Sequence, residues 1–413
     1  MIDFELSQEI ENARQMIHMM AEGTMRPIAR EYDEREHEDP TEWHQMMWTV
    51  SRGSTAVDFG GTEKSDKKDG KEAKPSERHL MSAVSIEELS WGDAGLYLSI
   101  PNPGLGGAAV AAAGTPEQRK RFLARFREGE PKWAAMAITE PGCGSDSAAI
   151  TTTATRDGDH WVLNGTKIFC TSGERALDKS EGFVVVWATV DKTKGRAGIK
   201  AFVVEHDTPG VTVSKVEDKL GIRASDTAAI VLDNARIPLD NLLGSAEVKK
   251  ESSAGFKGVM ATFDATRPAV AASAIGIGRA ALDFVRDAFA KAGVTIRYDA
   301  PPSKLTVLEH DFIEMEANLQ AARLLTWRAA WMMDHGLLNN LEASMAKAKA
   351  GLAVTQVTQK AVELMGPLGY SRKLLLEKWM RDAKINDIFE GTQQINLLIV
   401  ARRILGYSSQ ELK

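Results

Sequence analysis

Three short stretches bring together residue types that do chemistry. The first is Ala137-Ile138-Thr139-Glu140-Pro141-Gly142-Cys143-Gly144-Ser145-Asp146. Its glycines and proline force an irregular turn, which crowds several N–H groups into a small volume. With the Thr139 and Ser145 hydroxyls beside it, such a turn suits a flat heterocycle bearing carbonyls, or a phosphate. An ordinary tight loop has the same spelling. The second stretch runs from Trp161 to Gly173. On a regular strand its Phe169 and Thr171 share a face, where an aromatic beside a hydroxyl could stack on and hydrogen-bond a flavin ring; a core Phe with an exposed Thr reads equally well. The third is Ile388-Phe389-Glu390-Gly391-Thr392-Gln393-Gln394-Ile395-Asn396. Here an acid beside an aromatic opens an apolar helix. Helix-opening N–H groups favour anions, so a pyrophosphate could rest near Thr392. Glu390 could equally be only an acid at a helix start.

The elements that must position these residues fall into three zones, and the pattern predicts an α+β multidomain chain. Residues 1–132 read as an N-terminal helical domain. Within it, Gly114-Thr115-Pro116 sets up a helix start, with Thr115 as cap and Pro116 in the first turn. The dense mixed-charge stretch from Ser51 to Glu77 interrupts the zone and reads as a solvated loop or a docking surface. Residues 133–245 read as a middle antiparallel β domain. Its expected strands are Ile150–Thr155, Trp161–Thr171, Phe183–Val190, Ile199–Val204, Val211–Val216 and Ala228–Leu232, with a hairpin signal at Asp157-Gly158. The uniformly apolar run at Phe183–Trp187 predicts a strand buried on both faces.

Residues 246–413 read as a C-terminal antiparallel helix bundle. Three seams step alternately by four and three residues: Val270, Ala274, Ile277, Ala281, Phe284 and Ala288; Leu308, Phe312, Met315, Leu319 and Ala322; Ala350, Val354, Val357, Ala361 and Leu364.

Composition narrows the classes. Of 413 residues, 43% are hydrophobic and 26% charged, which excludes a disordered or disulfide-stapled chain. With 51 Lys plus Arg against 57 Asp plus Glu, the net charge is −6, which argues against nucleic acid as a partner. Cys143 and Cys170 alone make no closed zinc site, so no metal is expected, and a reducing, cytoplasmic setting is. The acidic N-terminus lacks a signal-peptide pattern. No run approaches about 18 uninterrupted apolar residues, so no membrane span is expected.

Together the three stretches resemble the acyl-CoA dehydrogenase family over nearly the whole chain. The helical–β–helical order agrees. So do the blocks Lys219-Leu220-Gly221-Ile222-Arg223-Ala224-Ser225-Asp226-Thr227, Phe263-Asp264-Ala265-Thr266-Arg267-Pro268 and Trp379-Met380-Arg381-Asp382-Ala383-Lys384-Ile385. The resemblance implies FAD between the β domain and the bundle. It assigns Thr139 and its surroundings, including Met136 and Ile138, to the pyrimidine edge, Thr171 to the reactive flavin nitrogen, and Phe169 to ring cover where Trp is commoner. Thr392 and Gln394 fall to the pyrophosphate end. Ser145, Phe263, Asp264 and Arg267 match the CoA channel, with a structural salt bridge as the other reading of Arg267. Tyr97 and Pro101 match the acyl end and imply a blocked or reshaped tunnel, and Phe389 lies near the thioester.

Glu390 matches the general base. The implied reaction, a step of fatty acid β-oxidation, converts an acyl-CoA to the trans-2-enoyl-CoA and passes electrons to an electron-transferring flavoprotein. Some relatives place the base just before the arginine at 267; Thr266 stands there and cannot serve. Two other readings stay open, a flavin monooxygenase of the same fold and a non-catalytic or half-site subunit.

The chain also departs from the pattern. The family's Arg-x-x-Phe-Gly motif, which helps hold a neighbouring subunit's FAD, is replaced by Gly293-Val294-Thr295-Ile296-Arg297-Tyr298-Asp299-Ala300-Pro301-Pro302-Ser303, and a usual Gln by Glu363. A homotetramer, or a heterotetramer with a paralogous subunit supplying the missing half-site, is therefore expected. Arg297-Tyr298 could stand in for the motif in a rearranged loop.

Overall fold

The computed structural model describes residues 5–53, 76–248, 254–407 and 411. Most of the charged stretch from Ser51 to Glu77 lies outside the described residues. Helix α1 (Gln8–Met20) starts where Ser7 caps Ile10 N, then passes through one π turn into α2 (Arg26–Glu34). Helices α3 (Thr41–Gly53), α4 (Arg78–Leu98), α5 (Gly104–Ala113) and α6 (Pro116–Leu123) follow. As the sequence predicts, α6 begins with a reciprocal capping box between Thr115 and Gln118. Helix α4 breaks at Asp93, whose backbone is extended (φ −165°, ψ 123°). The freed carboxylate caps Leu96 N at 2.9 Å and meets Lys378 of the bundle, so the break is held from both sides.

The middle region folds into one curled sheet of β1 (Ala134–Ala137), β2 (Thr153–Asp157), β3 (His160–Thr171), β4 (Phe183–Thr189), β5 (Ile199–Glu205), β6 (Val211–Val216) and β7 (Thr227–Pro238). A short helix, α7 (Gly173–Leu177), follows β3. Pairs β2–β3, β3–β7, β6–β7 and β4–β5 are antiparallel. Strand β1 pairs β4 in parallel, and β2 touches β4 in parallel at one residue pair. Strand β4 is buried along its whole length because β1 and β5 flank it and apolar clusters cover both faces. Strand β1 escaped the sequence reading: four small or flexible apolar residues carry no alternation. Strand β7 runs six residues past its expected end, its period broken where Asn234 turns left-handed (φ 50°).

Helices α8 (Ala254–Lys291), α9 (Val307–Asp334) and α10 (Asn340–Met365) pack antiparallel along the three predicted seams, most of whose residues enter one core with Trp43, Leu89 and Leu96 of the N-terminal helices. Short helices α11 (Pro367–Tyr370) and α12 (Leu376–Ala383) lead to α13 (Gln393–Leu405). By length and composition the segment Gly258–Lys291 could cross a membrane, but 72% of its apolar window is buried and it is the bundle's core helix. Near its start, Val259 and Phe263 of α8 pack with Trp187 of β4, tying sheet to bundle.

Candidate active site

Glu390 follows a 3-10 turn (Lys384–Asp387) and precedes α13. It takes φ 56° and Gly391 φ 89°, two successive left-handed residues. An acid gains nothing locally from that conformation, so the surroundings impose it. Lys347 Nζ of α10 donates to the Gly391 carbonyl at 2.7 Å, and the buried Asn396 Nδ2 donates to the same oxygen at 2.9 Å. The turn aims the half-buried Glu390 carboxylate back at α8, where Oε2 accepts from Thr266 Oγ1 at 2.8 Å. Burial lifts the Glu390 carboxyl above its ordinary range, and Thr266, Arg267 and Lys347 partly offset the lift.

Arg267 is only 3% exposed, and its Nη1 donates to Asp264 Oδ1 at 2.7 Å and Ser344 Oγ at 3.4 Å. The guanidinium is thus buried in a bundle salt bridge, the alternative reading of this residue, and lies near Glu390. Asp264 shares that bridge, and Phe263 is half-buried beside it. Tyr97 packs on Ala83, Ile86, Ala272 and Ala330. A small cavity of about 30 Å³ lies beside that cluster, lined in part by Ala83, Ala108, Thr266, Ala269 and Met333. Phe389 is half-buried and Thr392 caps α13 by accepting from Ile395 N, while Gln394 is exposed. The first turn of α13 holds no acid and its last turn holds Arg402 and Arg403.

On the sheet, the register of β3 against β7 slips between Lys167 and Cys170. Simple alternation therefore fails to link Phe169 with Thr171, and that expectation is corrected to a bulge, which re-aims side chains. Lys167 is fully buried, whereas Phe169, left-handed at φ 58°, is 60% exposed. Ile168 N donates to Thr139 O at 2.9 Å, which puts Phe169 next to the Thr139 loop; Thr139 and Thr171 are half-buried. Met136 and Ile138 have core side chains, and the Ile138 carbonyl is taken by Lys167 Nζ at 3.1 Å. Ser145 is exposed at the loop tip.

The anchor of this loop escaped sequence reading. Glu140 accepts from Lys167 Nζ and from the amides and hydroxyls of Thr151 and Thr152, at 2.6 to 3.0 Å. Burial opposes its charge, yet these donors win and bring its pKa down to about 2. Lys347 and Asn396 were missed as well; nothing in a helical stretch marks which lysine will be buried.

Away from this site, Arg297 forks onto Glu309 with two 2.6 Å bonds, and Tyr298 donates to Glu316 at 2.7 Å, so the segment is committed within its own chain. Glu363 pairs with Lys360 at the surface. Both cysteines are free and buried.

With sheet, bundle and a half-buried carboxylate in place, comparison with known proteins is decisive. The acyl-CoA dehydrogenase N-terminal, middle and C-terminal domain models match residues 7–130, 135–235 and 253–405. The chain belongs to the acyl-CoA dehydrogenase family. It is 36% identical over 403 residues to the short-chain specific mitochondrial acyl-CoA dehydrogenase of Rattus norvegicus (97% of this chain, 91% of the relative). To the short-chain specific enzyme of Clostridium acetobutylicum it is 36% identical over 406 residues (98% and 100%). Butyryl-CoA dehydrogenase of Megasphaera elsdenii superposes with a TM-score of 0.82 at 31% identity (98% and 100%). A chain from structural work on the electron transferring flavoprotein of Acidaminococcus fermentans gives 0.80 at 31% (98% and 100%). The chain is accordingly an oxidoreductase of the acyl-CoA dehydrogenase type, using a flavin.

Proposed function

We propose that the chain desaturates a short acyl-CoA to the trans-2-enoyl-CoA, with Glu390 as general base, FAD as the flavin and an electron-transferring flavoprotein as acceptor. The observation that carries this reading is the Glu390 carboxylate, lifted in pKa by burial and hydrogen-bonded to Thr266. A thioester α-proton is too weakly acidic for a solvated carboxylate; desolvation raises the base's strength, and a donor aimed at the carbonyl oxygen must stabilise the developing charge. The Glu390 N–H takes that donor role. Ser145, Phe263 and Asp264 take the CoA side and Phe389 the thioester. Tyr97 takes the acyl end, and the short-chain specific relatives support a short acyl group.

The residues present fit FAD. Phe169 offers an exposed ring held in a left-handed bulge, adjoining the half-buried Thr139. The acid-free first turn of α13 suits a pyrophosphate. Thr139 with the Met136–Ile138 backbone, Phe169 and Thr171 would hold the ring; Thr392 and Gln394 would hold the phosphates. Bound there, FAD would supply the hydride-accepting chemistry for the β-hydrogen. Glu390 takes the α-proton onto its carboxylate, and Thr266 keeps that carboxylate oriented.

The same reading divides the chain at 132/133 and 245/246, supported by the change from helix to strand before Ala134 and back to helix at Ala254. The cytoplasm is the proposed setting, supported by two free thiols. The missing half-site motif, with Arg297 committed to Glu309, supports a heterotetramer with a paralogous chain. Glu390→Gln assayed with an artificial acceptor over a panel of acyl-CoAs tests the base. Turnover should fall by about 10²–10⁴-fold; unchanged turnover removes Glu390 from the role, and oxygen uptake with a hydroxylated product would favour a monooxygenase instead.

A further inference from the structure

Behind the Glu390 turn sits a group that the proposed chemistry leaves unused. Lys347 of α10 is 1% exposed, and its Nζ spends its hydrogen bond on the Gly391 carbonyl at 2.7 Å. Among the described residues no carboxylate lies in ion-pair contact with it. Burying an ammonium without a contacting counter-charge is costly. Asn396 already donates to the same carbonyl, so a strut there needs no charge. We propose that Lys347 is a positioning residue for Glu390: its bond to Gly391 fixes the left-handed turn that aims the half-buried carboxylate, and its positive charge stands behind that turn. This rests on Glu390 being the base.

The surroundings make Glu390 the stronger of two counter-charges. From α8, Thr266 donates to Glu390, and Arg267 faces it but is bound to Asp264. Arg403 of α13 adds a weak field at Asp264. From the 3-10 turn, Asp387 also faces Lys347; Lys384 at 2.9 Å and Thr355 at 3.1 Å both bond its Oδ2, while its buried Oδ1 has no partner, and it acts on Lys347 more weakly than Glu390 does. From α10 itself, Ser344 bonds Arg267, and from α13 Asn396 is neutral. Burial pushes Lys347 down to about 8, with Glu390 and then Asp387 opposing that fall.

The test uses Lys347→Met, Lys347→Gln and Lys347→Arg in the flavin-loaded enzyme, each checked by melting temperature. The profile of kcat/KM against pH is recorded on a short acyl-CoA. The protonated-carboxyl infrared band that Glu390→Gln removes is titrated in parallel, as a readout independent of turnover. Losing the positive charge raises the carboxyl's pKa, so in the Met and Gln variants the acid limb and the band midpoint should both move up by about one pH unit. Lys347→Arg should leave both near the wild-type position. A uniform loss of rate with unmoved limb and band overturns the proposal, as does an equal shift in the Arg variant. If all three variants fail to fold, it is overturned too, since Lys347 is then a core fixture only. A Glu390→Gln enzyme that keeps turnover would instead sink the base assignment, a different result.

Discussion

At the residue scale, the behaviour of the site reduces to which form of one carboxyl is favoured. Burial favours the neutral acid, so the Glu390 pKa lies above the ordinary 4.5. With Glu390 as the proposed base, the ionised fraction, and with it the rate, falls as pH drops through that raised value and is full above it. Thr266 acts in the other sense because its hydroxyl donates to the charged form. Thr266→Ala should therefore push the acid limb of kcat/KM to higher pH while leaving the rate well above the limb within about tenfold. A limb that stays put would show the 2.8 Å bond to be incidental. The Phe389-Glu390-Gly391-Thr392 spelling can be read from sequence because its parts are contiguous. Thr266 lies 124 residues from Glu390 and Lys347 lies 44 from Gly391. No local pattern joins them; only the packing of α8 and α10 does.

At the element scale, the end of the sheet proposed to face the flavin depends on a buried pair. Lys167 from β3 and Glu140 from the loop after β1 are both nearly inaccessible, and together with Thr151 and Thr152 they pin the Thr139 loop to the sheet. Lys167→Met would leave a buried carboxylate short of its cation, at a cost of about 3–5 kcal/mol. The melting temperature should fall by several degrees near neutral pH; no fall would mean that the pair contributes nothing net. The Glu140 pKa is depressed, so its stabilisation is in force above the ordinary 4.5 and disappears as pH falls towards about 2. The strand positions were largely legible, since β3 to β6 follow β-rich runs bounded by turns. The bulge at Phe169 was not, because a register slip comes from what β7 offers across the sheet, not from β3 itself.

At the scale of the whole molecule, charged contacts inside the core join regions far apart in sequence. Asp93 at the break in α4 meets Lys378 of α12, which also pairs Asp382 at 2.6 Å, and Asp382 accepts from Ile222 N of the β region at 2.6 Å. Arg279 of α8 bridges Glu87 and Glu88 of α4 at 2.7 and 2.6 Å. Helical N-terminus, sheet and bundle are thereby fixed as one frame around the site. The proposed paralogous partner belongs to this scale as well. The purified chain alone should hold markedly less than one FAD per chain and recover stoichiometry on co-purification with a partner. A homotetramer with one tightly held FAD per chain would refute the heteromer, whatever its activity.

Order of helical and β regions, helix seams, most strands and the Phe389-Glu390-Gly391-Thr392 spelling were set by the linear chain, since periodicity, caps and contiguous motifs are local properties. Folding alone decided that Arg267 is a buried partner of Asp264, that Phe169 sits in a left-handed bulge, and that a lysine ends up behind the carboxylate. Each of these depends on which distant side chain arrives to satisfy a charge or a carbonyl away from water, and that choice is made by packing between elements, which one-dimensional patterns do not encode.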